Sequence, residues 1–175
     1  MNFEELDIAD RYMKVNHSGE FGAMNIYRAQ IAVSKIFRSN QIDMLEEFLA
    51  HETSHRDIFA AELKARNVRQ CRSYLLCGIG GYCLGLISAL LGRNSILACT
   101  AAVESVVITH LEMQLKVLER AGDEHAYNAV KSIYVDEMQH LEKGENSNKD
   151  CVFYKPYVKA VSICTELVIW LGMKL

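Results

Sequence analysis

Apolar residues recur at three- and four-residue spacing through most of this 175-residue chain, and no stretch alternates with strand period over a convincing length. Helices are predicted over residues 8–37, 41–66, 94–120, 123–143 and 156–175. In the second, Leu45, Phe48, Leu49, Phe59 and Leu63 share a face; in the fourth, Val130, Ile133, Tyr134 and Leu141 do. Arg38, Ser39 and Asn40 make the first turn. Gly122 suits a helix end and Asp123 the cap of the helix that follows. Residues 73–92 are different in kind: 20 residues without a charge, set between Arg72 and Arg93. Residues 144–150 read as a polar loop. The last helix is apolar and holds the only tryptophan, Trp170.

Composition narrows this to an all-α chain. The length suits a single domain, residues 1–175, able to bury a core without disulfides. One proline in the whole chain fits long helices. A net charge of −3 offers no basic field for nucleic acid. The six cysteines (71, 77, 83, 99, 151 and 164) include no CxxC pair. They read as reduced, small apolar residues of a cytosolic protein. The acidic start MNFEELDIAD predicts no cleavable signal.

An internal repeat carries the chemistry. Glu20 precedes Glu52 by 32 residues, and Glu104 precedes Glu137 by 33. Glu52 opens Glu52-Thr53-Ser54-His55, and Glu137 opens Glu137-Met138-Gln139-His140. Chance supplies about 0.5 ExxH motifs in a chain of this composition, so one copy means little. Two copies in the same register, both on apolar faces, mean more. Residues at i and i+3 lie on one side of a helix, so each motif aims a carboxylate and an imidazole inward. Glu104 is the only charge between Arg93 and Glu112. Burying it unpaired costs several kcal/mol. Four Glu and two His, one Glu from each of two helices and an ExxH from each of two others, are the ligand set of ferritin-like di-iron or di-manganese bundles. Two divalent ions balance the four carboxylates, and oxygen and imidazole ligands suit iron or manganese. The expected architecture is a ferritin-like four-helix bundle of two helix pairs, with 73–92 between the pairs and 156–175 after them.

Two other readings compete. The six groups could make ordinary salt bridges and caps in a metal-free or iron-handling bundle. His51-Glu52-Thr53-Ser54-His55 is also HExxH, in which His51 and His55 bind one zinc and Glu52 is the base of a peptidase. That reading leaves the second ExxH and both lone Glu unused. The di-iron reading makes His51 incidental and leaves iron binding intact in His51→Ala. His110, nearly two turns after Glu104, and His17, three before Glu20, are candidates for contacts just outside the ligands.

The stretches VNHSGEFGAMNIYRAQIAV, HETSH, ALLGRNSILACTAAVES, VDEMQH and, loosely, VIWLGMKL resemble the demethoxyubiquinone hydroxylases of ubiquinone biosynthesis, in order along nearly the whole chain. The resemblance implies that Glu20, Glu52, His55, Glu104, Glu137 and His140 hold two iron ions, with Glu52 and Glu137 bridging them. It implies an O2-dependent monooxygenase that hydroxylates the ring of a demethoxyubiquinol-type polyprenyl quinone with two electrons, NADH being the ultimate donor. No Gly-rich dinucleotide motif is present to bind that donor. Ser18 and Phe21 stand where the family has Ala and Tyr, Leu111 where a Tyr is common, and Trp170 where the last helix has a Tyr.

Residues 73–92 are long enough to span a bilayer and contain Gly81-x-x-x-Gly85. A span would put Glu20, Glu52 and His55 on one side and Glu104, Glu137 and His140 on the other. The segment is therefore expected to lie in the interface of the membrane's cytoplasmic face, as in a peripheral protein. A buried core helix is the plainer alternative. The resemblance leaves room for an accessory lipid-binding biosynthesis protein and for a homo-oligomer.

Overall fold

The computed structural model describes residues 3–146 and 154–175, and every regular element among them is a helix. These are α1 (Phe3–Ile36), α2 (Ile42–Ala65), α3 (Tyr74–Leu90), α4 (Arg93–Ala121), α5 (Glu124–Gly144) and α6 (Tyr154–Gly172). Cys151 and most of the expected 144–150 loop lie outside the described residues; the five described cysteines are free thiols.

Side-chain contacts fix the direction of each helix. α1 and α2 form an antiparallel pair: Lys35 meets Glu46 at 2.8 Å near their turn, and Arg66 reaches Asp10 at 3.2 Å at the far end. α4 and α5 form the second pair. The Tyr134 hydroxyl donates to Glu112 at 2.8 Å, and Gly144 lies on the backbone of Leu97 and Ala101. The pairs join through α1 on α4, where the amides of Asn16 and Gln114 exchange buried hydrogen bonds of 2.7 and 3.0 Å. They also join through α2 on α5, where Lys143 meets Glu47 at 2.9 Å.

α3 returns the chain along the bundle. Its Gly81 faces Gly22 and its Gly85 faces Ile26, so it runs parallel to α1. The Gln30 amide donates to Ser88 at 2.9 Å in the same register. α4 therefore starts at the same end as α2, which is the single long crossover of the ferritin-like bundle. α6 runs parallel to α4: the Tyr157 and Ser162 hydroxyls donate to the carbonyls of Ser95 and Ala102.

The chain's apolar stripes close this bundle at two levels. Met13, Phe59, Leu63, Leu111, Leu118, Val130 and Ile133 pack at one level. Tyr27, Ile31, Leu45, Phe48 and Ile96 pack at the other. Glu20 in α1, Glu52 and His55 in α2, and Glu104 in α4 lie between these two clusters along their helices.

The turns follow their residues. Gly122 ends α4 in the left-handed region (φ 68°), and the Asp123 carboxylate caps α5 by accepting from the Ala126 N–H at 3.1 Å. Both oxygens of the same carboxylate accept from Nη2 of Arg66, at 2.7 and 2.8 Å, tying the end of α2 to the start of α5. α1 begins five residues before the expected start. α6 also starts early, and Pro156 sits in its first turn, where an N–H has no helical partner to lose.

The uncharged segment becomes a helix of 17 residues, shorter than the ~20 a span requires. Its small residues Gly78, Gly81, Gly85, Ser88 and Ala89 face the bundle. Leu75, Leu76, Ile79, Ile87 and Leu90 face outward, each more than half exposed. Among the described residues, the helix that is long and apolar enough to cross a membrane is instead α4, and 67% of that stretch is buried in the bundle.

A Cβ at Gly85 would collide with the Ile26 backbone, and one at Gly81 with the Gly22 carbonyl. One at Gly80 meets nothing within 4 Å. Gly85→Leu is therefore expected to cost about 3 kcal/mol, a fall in Tm of roughly 10 °C, while Gly80→Ala leaves Tm unchanged or slightly higher. Thermal melts followed by circular dichroism check this; equal effects of the two would contradict the close crossing of α1 and α3.

Candidate metal centre

Six side chains converge midway along the bundle. Glu20 comes from α1, Glu52 and His55 from α2, Glu104 from α4, and Glu137 and His140 from α5. Every one is at most 7% exposed. Ligand atoms of Glu20, Glu52, His55 and Glu137 all lie within 4.8 Å of one another, and so do those of Glu52, Glu104, Glu137 and His140. Glu52 and Glu137 belong to both groups, the place a bridging carboxylate occupies between two ions.

The donor set is turned for a cation. His55 Nδ1 stands 2.9 Å from a Glu137 oxygen, and His140 Nδ1 stands 3.2 and 3.3 Å from Glu52 and Glu137. Yet these nitrogens, Glu52 Oε1 and both Glu137 oxygens have no hydrogen-bond partner, although all are buried. Buried polar atoms left unsatisfied at such distances are costly. Lone pairs that converge without hydrogen-bond geometry fit divalent ions with oxygen and imidazole ligands.

The electrostatics agree. Burial, and then the neighbouring carboxylates, push Glu20, Glu52 and Glu104 well above the usual carboxylate range. Burial also pushes on Glu137, but His140 and His55 outweigh it and hold that carboxyl at about 2. Burial lowers His55, but the adjacent Glu137, Glu20 and Asp136 outweigh it and raise the imidazole to about 9. The Tyr27 hydroxyl donates to Glu104 at 3.1 Å, and its ring packs edge-on to Phe48 and His140.

A family model described as "Ubiquinone biosynthesis protein COQ7" matches residues 7–172. The chain belongs to this family. A Dictyostelium discoideum relative named "NADPH-dependent 3-demethoxyubiquinone 3-hydroxylase, mitochondrial" is 32% identical over 170 residues, 95% of this chain and 77% of the relative. A Rhodospirillum rubrum relative named "3-demethoxyubiquinol 3-hydroxylase" is 29% identical over 168 residues, 94% of this chain and 77% of the relative. The Saccharomyces cerevisiae "5-demethoxyubiquinone hydroxylase, mitochondrial" is 27% identical over 176 aligned positions, 92% of this chain and 76% of the relative. The Dictyostelium name specifies NADPH, where the resemblance implied NADH.

Residues outside the six divide differently from expectation in this COQ7-family chain. His110 turns away from the centre and pairs with Glu166 of α6 at 2.9 Å. α4 at that level packs on α6, so the side chain follows the outer face. His17 is buried and stacks on Tyr74 of α3, with ring centroids 4.8 Å apart; its Nδ1 has no hydrogen-bond partner. His51 is not incidental: its Nδ1 lies 3.1 Å from His140 Nε2. It belongs to neither group of converging ligand atoms, whereas Glu52 and His55 do. Asp136, 3.1 Å from His55 Nε2, is the residue that the sequence reading missed. Its signal lay one place before Glu137, where His51 stands before Glu52.

Above the unfolded value of 6.5, the raised His55 makes folding less favourable as pH rises toward about 9. The raised carboxyls act in the same direction above their ordinary 4.5, since the folded state holds their protons longer. The lowered Glu137 adds stability above 4.5 that is lost only in acid. The metal-free protein is thus expected to lose Tm between pH 6.5 and 9, and Fe(II) loading to flatten that slope. Melts of both forms across this range test it; a metal-free Tm that rises with pH would contradict the crowded centre.

Proposed function

We propose that this chain hydroxylates the ring of a demethoxyubiquinol-type polyprenyl quinone, using O2 and two electrons at a two-iron centre, in a late step of ubiquinone biosynthesis. The observation that carries the reading is the pair of ligand groups sharing Glu52 and Glu137. Glu20 and His55 would complete one iron's ligands, and Glu104 and His140 the other's. When bound, the irons supply the activation of O2 that protein side chains cannot perform.

The chain's own residues bind and shield. The apolar clusters on either side of the six ligands exclude water from the centre. Tyr27 holds Glu104 through its hydroxyl and fixes that carboxylate's orientation. A narrow seam between α1 and α4 leads to Glu104, lined by Ala23, Ile26, Tyr27, Cys99, Thr100 and Val103. It is too tight for a water molecule in this structure, so a ring entering by this seam must part it. Cys99 on the seam touches both Ser88 of α3 and Tyr157 of α6, which places those two helices over it.

The outer faces of α3 and α6 suit the substrate. Leu75, Leu76, Ile79, Ile87 and Leu90 of α3, and Leu167 and Trp170 of α6, are each more than half exposed. Arg72 and Arg93 flank α3 at both ends. An apolar helix with basic flanks lies in a lipid interface and meets phosphate headgroups. A polyprenyl tail stays in that layer while the ring enters the protein. The electrons come from a reduced nicotinamide nucleotide. No strand occurs among the described residues, so they contain no dinucleotide-binding sheet, and that donor acts from outside such a fold.

Iron analysis after anaerobic loading is expected to give two irons per chain, with Glu104→Ala losing iron. Labelled O2 with reduced substrate is expected to put one labelled oxygen on the ring. One zinc per chain, or a ring that gains no labelled oxygen, would contradict the reading. Vesicles carrying anionic lipid are expected to float the protein. The pair Leu76→Glu and Ile79→Glu is expected to lower that fraction about tenfold and leave iron content unchanged.

A further inference from the structure

The two halves of the centre are mirrored in the ligands and differ just outside them. Each ligand histidine turns Nδ1 to the carboxylates, so an ion bound there takes the Nδ1 lone pair and leaves the ring proton on Nε2. His55 Nε2–H then donates to the Asp136 carboxylate at 3.1 Å. In that tautomer His140 Nε2–H donates to the His51 Nδ1 at 3.1 Å, the two ring planes lying 13° apart with centroids 5.3 Å apart. The arrangement is crossed. Because α2 and α5 are antiparallel, the residue before Glu52 reaches the histidine of α5, and the residue before Glu137 reaches the histidine of α2. Acceptors on the far nitrogen orient a ligand imidazole and raise its basicity, and a charged acceptor does so more than a neutral one.

We infer that His51 and Asp136 are positioning residues that make the two metal positions unequal: the His55 position, backed by a carboxylate, binds the first divalent iron more tightly, and the His140 position, backed by an imidazole in place of a carboxylate, fills second. This rests on the two-iron reading above. Neither residue is a ligand, and both are partly exposed, so both can be changed without emptying the core.

The substitutions are close to isosteric. The Oδ1 of Asn or Asp occupies the position of a histidine Nδ1, attached to the same Cγ. His51→Asn keeps a neutral acceptor, His51→Asp installs a carboxylate, and His51→Leu removes the acceptor. Asp136→Asn makes the His55 position neutral-backed as well.

The test is an anaerobic Fe(II) titration of each protein, followed by calorimetry and by Mössbauer spectroscopy of the loaded forms. The parent is expected to bind two irons in two steps and to show two quadrupole doublets of equal area. Asp136→Asn is expected to weaken the first step by about 10- to 100-fold and leave the second in place, merging the two. His51→Leu is expected to weaken only the second step by a similar factor, about 10- to 100-fold. His51→Asn should restore that step, and His51→Asp should strengthen it until the doublets draw together. Metal-free melts confirm that each variant folds. Two irons in the parent with both steps shifted equally, or neither shifted, by Asp136→Asn and His51→Leu would overturn this inference and leave the two-iron reading standing. A parent that binds no iron overturns both.

Discussion

The fold is arranged around the mutual repulsion of four carboxylates held in a dry place. Glu20, Glu52, Glu104 and Glu137 sit within reach of one another where water cannot screen them. Two imidazoles relieve part of this, and they do so unevenly. Glu137 is kept ionised while the other three are driven toward their neutral forms. A bundle that folds around such a centre gives up stability there and recovers it elsewhere, in the apolar clusters at the two levels and in the Arg66 and Asp123 contact between α2 and α5. Divalent ions settle the charge. That is why orphaned donors and pressed carboxylates read together as a metal centre and not as two separate defects.

The same constraint explains the crossover. Four helices must present one carboxylate each to a common point, and the two ExxH helices must be antiparallel for their motifs to face. An ordinary turn from α2 to α4 would reverse α4 and move Glu104 to the wrong level. α3 supplies the return. It lies close enough along α1 only because Gly81 and Gly85 let the two backbones touch. With its small residues spent on that contact, its large ones face outward. The apolar outer face of α3 is thus a consequence of how the bundle is closed.

Much of this was legible in the residues. Spacing alone marked the six side chains that converge, because inward carboxylates and imidazoles stand out on apolar helix faces. Asp123 and Gly122 announced their turn. The Gly81-x-x-x-Gly85 motif announced a close helix contact but not its partner, which is a helix of the same bundle. Orientation was less legible. His110 lies nearly two turns from Glu104, a spacing that leaves it near the ligand or on the outer face depending on how α4 is rotated; packing against α6 decides it. His51 and Asp136 act across a helix pair, and one helix's periodicity holds no information about the register of another. Antiparallel pairing of the two motifs was the missing step: once it is granted, each residue preceding a Glu falls beside the opposite histidine.

The central claim is that one chain holds two ions side by side through shared carboxylates. X-ray absorption at the iron edge of the anaerobically loaded protein tests it most directly. The account predicts oxygen and nitrogen ligands, no sulfur, and an iron neighbour at roughly 3.5–4 Å from each iron. A spectrum with no iron neighbour at full loading, or one with sulfur ligands, would contradict it.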